Sequence, residues 1–337
     1  MKRLNSIFKM DKKNRHQILL WLIGGLILTF ATEIFLRGSV KEVVSWVKET
    51  PGVMLANYLL ILMLTSIFFL AKRKYMVYFI SFVVILGVSI TTFFLMKVRG
   101  TPLTFSDLYS IGEAMEIADK YINPTIIIIG IVCIAFLVVF CVFLYKLDGD
   151  TKRFKLINFV LVFVVSAVFF TTVKSQQAKN IMVYKRWDIP ASYKCNGLTY
   201  STVESCLKYI RTKPNDYSQS KIAKIKEKVD KAEANDNRKL NKNKPNVLFV
   251  QLEAFMDPET IKGVKYSKDP IPNFRKLTKL YTSGMANVPT TGGGTVRTEF
   301  EVMTGNNIDY LTPGEIPYST ILKSKYYNSV ATTLSSQ

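Results

Sequence analysis

The chain has 337 residues, of which 49% are hydrophobic, with a formal charge of +20 and a mean hydropathy of +0.17. High charge and positive hydropathy in one chain require apolar and basic residues to be segregated, which excludes a single evenly patterned soluble domain. Four cysteines exclude a disulfide-rich framework, and one histidine, His16, excludes a site built from several histidines within these residues.

Five apolar runs come first, at 17–36, 53–71, 75–96, 124–145 and 154–173. Each approaches the roughly 20 residues that cross a bilayer core of about 30 Å. A core helix of a soluble protein keeps a polar face, and "PTIIIIGIVCIAFLVVFCVFLY" has none. The first run is too long for a cleaved leader, and no A-x-A-like site follows "EIFLRGS". Thirteen basic residues lie in the N-terminal tail and the second-to-third and fourth-to-fifth connections, against six in the alternate connections. That bias places the N-terminus in the cytoplasm and, after five crossings, everything beyond Val173 outside the cell. Localisation is therefore the plasma membrane, multi-pass, with an extracellular C-terminal part. Glu33 lies within the first span, one turn from Arg37, and is expected to pair with it at i,i+4. The outer loop 97–123 is long for a plain connection and is expected to hold an interfacial helix.

Three domains follow: 1–173 as the five-span domain, 174–243 as an extracellular linker with a charged helix, and 244–337 as an α/β region. In the linker, "SQSKIAKIKEKVDKAEA" reads as a helix starting at Ser218 or Ser220, with Ile222, Ile225 and Val229 on one side. Its lysines suit anionic lipid head groups or wall polymers, whereas an extracellular location argues against nucleic acid. Cys195 and Cys206 stand in an oxidising compartment and form a candidate disulfide; Cys133 and Cys141 lie in the fourth span.

From Asn246 the pattern becomes strand-like. "NVLFVQL" suits a buried parallel strand ending at Glu253, "PIPNFRKLTKLYTSG" a helix stopped by Gly284, and "MANVP" a second strand. A helix from about Thr295 to Met303, another over "PYSTILKSKYYN" and a strand at "SVATTL" complete an alternation that indicates an α/β fold with a mainly parallel sheet. Ligands of such sheets gather beyond the carboxyl ends of strands, where Glu253 and the loop "TTGGGT" both fall.

Three consecutive glycines, Gly292, Gly293 and Gly294, clear side chains from around the Thr295 hydroxyl and let a bulky substrate approach. A threonine at a helix start is ordinarily an N-cap. Here the helix N-terminus also offers unpaired N–H groups to a phosphate or sulfate. The GxxxxGK[ST] phosphate loop is absent. A hydroxyl attacking a phosphodiester benefits from a divalent cation held by carboxylates, and Glu253 is the candidate ligand.

"NVLFVQLEAF", then "PNFRKL", then "GGGTVRTEFEVMTG" resemble the extracellular domain of the lipoteichoic acid synthase family, membrane phosphoglycerol transferases of the alkaline phosphatase/sulfatase superfamily. Five spans before an outward-facing domain, and "RGTPLTFSDL" in the outer loop, extend the resemblance over most of the chain. The fold it implies is a polytopic helical membrane domain followed by a partial extracellular sulfatase/alkaline-phosphatase-like α/β domain. By that resemblance Glu253 is the metal-binding glutamate and Thr295 the nucleophile, itself on the metal. The ion is Mn²⁺, with Mg²⁺ as the alternative. The donor is phosphatidylglycerol, and the acceptor is a growing glycerol-phosphate polymer. The family completes its metal site with an Asp–His pair far downstream and binds substrate with further histidines. Neither is matched here, so the expectation is a truncated, catalytically incomplete chain. A related sulfatase-superfamily hydrolase or phosphoethanolamine transferase, and a non-catalytic membrane protein, are the alternatives.

Overall fold

The computed structural model of the chain describes residues 12–112, 124–147, 156–185, 188–210, 216–234, 246–252, 255–289, 295–312, 315–320, 322 and 327–335. The chain divides into two compact units, Met1–Tyr209 with Pro289–Gln337, and Ile210–Val288.

Five helices of the first unit are long and apolar enough to cross a membrane, as the hydropathy pattern predicts. The first, α1 (Lys12–Arg37), ends at Gly38, and a short amphipathic helix α2 (Val40–Glu49) follows, with Ser39 Oγ accepting from Glu42 N. Pro51 opens α3 (Pro51–Thr65), a position where its missing N–H costs no hydrogen bond. Thr65 and Ser66 then turn their hydroxyls back onto Ile61 O and Met63 O, and the span finishes as a 3₁₀ segment, Ser66–Leu70. The remaining spans are α4 (Lys74–Arg99), α5 (Pro124–Leu147) and α6 (Leu156–Ala178).

Helix α3 is the hub, packed against α1 on one side and α6 on the other. Val53, Ala56, Leu60, Phe169 and Val173 form one buried cluster; Trp21, Leu62, Phe68 and Tyr78 form another. The Trp21 indole N–H donates to Leu62 O at 3.0 Å, so its one polar atom is satisfied inside the bundle. Helix α5 stands apart: among its described residues none is buried, and Phe140 meets Phe79 of α4 edge-on at 4.8 Å.

At the Arg99 end of the bundle two short helices, α7 (Ile189–Asn196) and α8 (Leu198–Tyr209), meet at Gly197. Asp188 Oδ1 caps α7 by accepting from Ala191 N at 2.9 Å. Gly197 has φ +85°, and a Cβ there would lie 2.3 Å from Asn57 Nδ2, so both conformation and space call for glycine.

The second unit holds α9 (Gln219–Ala234) and α10 (Pro272–Leu280), both as predicted, although α10 ends before Tyr281 rather than at Gly284. Arg275 binds Asp257, Glu259 and Asp269 and so gathers the loop before α10.

The expected sheet is not found: among the described residues none is in a strand. "NVLFVQL" is irregular and exposed, with Leu248 86% accessible, and "MANVP" likewise has no ladder partner. A parallel strand depends on neighbouring strands for its backbone hydrogen bonds, and among the described residues no strand lies beside these segments. "SVATTL" forms a helix, α12 (Val330–Ser335), in place of a strand. "PYSTILKSKYYN" shows a single 3₁₀ turn, Pro317–Ser319, with 321 and 323–326 outside the described residues.

Candidate functional site

Thr295 stands at the N-cap of α11 (Val296–Thr304), and Glu299 N donates to its carbonyl at 3.0 Å. Its backbone is already helical (φ −53°, ψ −24°), and its side chain makes no cap hydrogen bond. Capping normally requires an extended residue whose oxygen turns back onto the helix N–H groups. Thr295 therefore occupies the N-cap position without the side-chain hydrogen bond that usually goes with it. Phe300, 1% exposed, anchors the helix against Tyr327, and Gly305 closes it in the left-handed conformation (φ +67°).

Around α11 each nearby acid has a polar partner. Glu315 is fully buried and accepts from Thr312 N (2.8 Å), Thr312 Oγ1 (2.7 Å) and Thr320 Oγ1 (2.6 Å). Glu301 accepts from Ile308 N at 2.8 Å, and Glu299 from the Tyr318 hydroxyl at 3.0 Å. Partial burial, then that bond to Glu299, push the Tyr318 phenol up to about 12. Arg297 donates Nε to Glu315 O at 3.3 Å. Burial lowers its pKa, with Tyr184 and Asp107 opposing that shift and Arg99 adding to it.

The outer loop is organised around two of these charges, Arg99 and Asp107. Arg99 grips both oxygens of Asp107 at 2.7 Å, and Asp107 in turn accepts from Thr104 N at 2.6 Å. The Tyr193 hydroxyl donates to Leu103 O at 2.8 Å, and Phe105 N to Ser205 Oγ at 3.3 Å, which fastens "RGTPLTFSDL" to α7 and α8. Glu113, Glu116 and Asp119 of this loop lie outside the described residues.

Two intramembrane polar residues hold α7 and α8 from below. Glu33 pairs with Arg37 as its spacing predicts and also accepts from Leu198 N at 2.8 Å, at the start of α8. Asn57 donates to Asn196 O at 2.8 Å and accepts from Tyr200 N at 2.9 Å. Sequence reasoning missed Asn57, Arg297 and Glu315. A lone asparagine in the run "NYLLILML" was the available signal for the first, since unpaired amides are avoided in lipid; the other two carried none.

Glu253 and the three glycines Gly292, Gly293 and Gly294 lie outside the described residues. Cys195 and Cys206, the candidate disulfide pair, are free thiols. The Cys195 thiol donates to Ile181 O at 3.0 Å, and burial raises the Cys206 pKa. Among the described residues no group of three or more His, Cys, Asp or Glu could hold a metal ion.

No family model matches the chain, and no solved structure matches it. A curated protein from Rhizobium meliloti (strain 1021), described as a putative cyclic beta-1,2-glucan modification protein, is 29% identical over 138 residues. The match covers 41% of this chain and 20% of that protein's length.

Proposed function

We propose that the protein is a membrane-held group transferase of the sulfatase superfamily, with Thr295 as its nucleophile. The most specific form of this reading is transfer of glycerol phosphate from phosphatidylglycerol to a cell-envelope polymer. The supporting observation is the position of Thr295 at the first turn of α11, directly after the three-glycine run in the sequence, where a hydroxyl and the helix N-terminus stand together. Five spans supply the membrane setting that a lipid donor needs. A relative described as a putative cyclic beta-1,2-glucan modification protein agrees with a carbohydrate-polymer acceptor in general. In the first half-reaction the Thr295 Oγ–P bond forms as the phosphorus–diacylglycerol oxygen bond breaks. The threonine proton leaves, and the diacylglycerol oxygen gains one. An acceptor hydroxyl then displaces Thr295 and restores its proton, so one hard displacement is divided into two. In the proposed topology the N-terminus is cytoplasmic and Thr295 faces outward, where envelope polymers lie.

Mn²⁺ or Mg²⁺ would suit this chemistry, but the described residues do not fit such an ion. Glu299, Glu301 and Glu315 of the described residues already accept from amides or hydroxyls, and His16 is at the start of α1. Hard cations take about six donors, so the ion in this reading needs Glu253 and further donors that lie outside the described residues.

The test is a single-turnover one. Protein in phosphatidylglycerol vesicles carrying a labelled head group is incubated for hours and digested, and Thr295 is examined by mass spectrometry. Glycerophosphate on Thr295, absent in Thr295→Ala, is expected. Label spread over other hydroxyls, or unchanged in the variant, would remove Thr295 from the role. No label at all would favour a non-catalytic membrane protein. Label from phosphatidylethanolamine in place of phosphatidylglycerol would favour the phosphoethanolamine transferase alternative.

A further inference from the structure

Within the bundle a cavity of about 190 Å³ lies between the 3₁₀ end of the second span and the start of α6. Ile67, Leu70 and Phe159 form its rim and are open to the surroundings at 57–59%, while Phe69 and Asn158 are buried to 3% and 2%. The Asn158 carboxamide has no hydrogen-bond partner at either Nδ2 or Oδ1. In a hydrocarbon setting each unmatched polar atom costs several kcal/mol, because no water is at hand to replace a missing partner. An asparagine kept in such a place needs a visitor that brings both an acceptor and apolar bulk.

We infer that this cavity binds a phospholipid of the surrounding bilayer, the Asn158 side chain turning toward the mouth so that Nδ2 donates to an ester carbonyl while the upper acyl chain lies along Phe69, Phe159 and Val162. The volume exceeds the roughly 150 Å³ that takes up a benzene-sized molecule in an apolar core, so it admits the ester neck and first methylenes rather than a whole lipid. The depth also fits. Asn158 is two residues into α6, and Lys72 and Arg73 follow just after Leu70. That stretch of basic residues lies where a head group would be and favours an anionic one. The small wall needed for a neck arises from the 3₁₀ winding of Ser66–Leu70, which narrows the second span beside α6. This site is independent of the transferase reading, since it stands at the opposite end of the spans from Arg99 and α8.

The probe is phosphatidylglycerol bearing a diazirine on the acyl chain near its ester, in nanodiscs with the full chain. After irradiation, adducts are mapped by mass spectrometry. Adducts should concentrate on 66–70 and 156–162 over the lipid-bathed α5, and fall about fivefold in Asn158→Leu, the loss of one hydrogen bond. Ile67→Trp narrows the mouth while keeping the amide, and should lower labelling equally if Asn158→Leu misfolds. Uniform labelling of all five spans, unchanged in both variants, would overturn the site. So would chain-to-chain crosslinks at these residues, which would show a second copy covering them.

Discussion

Replacing Asn57 with leucine would leave Asn196 O and Tyr200 N unmatched in a dry part of the bundle. Each orphaned group costs roughly 1–3 kcal/mol, so a fall of several degrees in the thermal midpoint is expected for Asn57→Leu in detergent micelles. Gly197→Ala should destabilise as well, since its Cβ would press on the same amide and φ is +85°. The two changes share one contact, so their combination should cost less than the separate effects added; full additivity would show that they act independently. Alkaline pH probes a neighbouring feature. The Tyr200 phenol is pushed up to about 12 by burial first and by the Glu204 carboxylate second, and burial also raises Tyr193. The folded state keeps these protons when the unfolded chain has lost them, so stability is whole below about pH 10 and declines as pH climbs toward 12. A flatter decline over that interval in Tyr200→Phe, followed by thermal melts, is the expected result.

Helix α8 owes its start to a residue 165 positions away, Glu33 accepting from Leu198 N. Glu33→Ala would remove that cap and leave Arg37 with only Lys194 O and the Trp46 ring, and losing one member of a buried pair costs about 3–5 kcal/mol. Glu33→Gln keeps a carbonyl oxygen for Leu198 and should cost less. Hydrogen exchange at 198–201 should quicken strongly in the first variant and mildly in the second; equal rates would remove Glu33 as the cap. Only half of this was legible beforehand. The i,i+4 pair with Arg37 is local and could be read, while the long-range bond could not. The same contrast runs through the elements. Helices close their hydrogen bonds within four residues, so all five spans, α9, α10 and α11 could be placed from pattern alone. Strands close theirs across the chain, and neither "NVLFVQL" nor "MANVP" gains a neighbour among the described residues. At "SVATTL" β-branched side chains suggested a strand, but Ser329 and Thr332 cap each other reciprocally, with Ser329 N on Thr332 Oγ1 at 2.7 Å and Thr332 N on Ser329 Oγ at 3.2 Å. That local motif starts a helix and outweighs propensity.

On the scale of the whole chain, the membrane half and its orientation rest on different grounds. Length and apolarity define the spans, whereas orientation rests on the lysine and arginine bias alone. In a variant lacking the native cysteines, Ser220→Cys in exposed α9 should react with a membrane-impermeant thiol reagent on intact cells, and Lys72→Cys should not. The reverse pattern would invert the proposed topology. The candidate site divides in the same way. The helix start at Thr295 was legible because glycines and a helix N-terminus are local signals, whereas a metal cage is a meeting of distant residues. Among the described residues the acids near α11 are engaged by Thr312, Thr320, Tyr318 and Ile308, leaving no cluster for a cation. A ligand present at 100 times its Kd would stabilise the fold by about 2.7 kcal/mol, which is several degrees in a domain of this size. Millimolar Mn²⁺ therefore tests the proposed metal: a midpoint shift of less than about 1 °C relative to chelator would count against it. A shift of several degrees, abolished by Glu253→Gln and by Thr295→Ala but not by Glu301→Gln, would mean that Glu253 and Thr295 join in a true metal site after all.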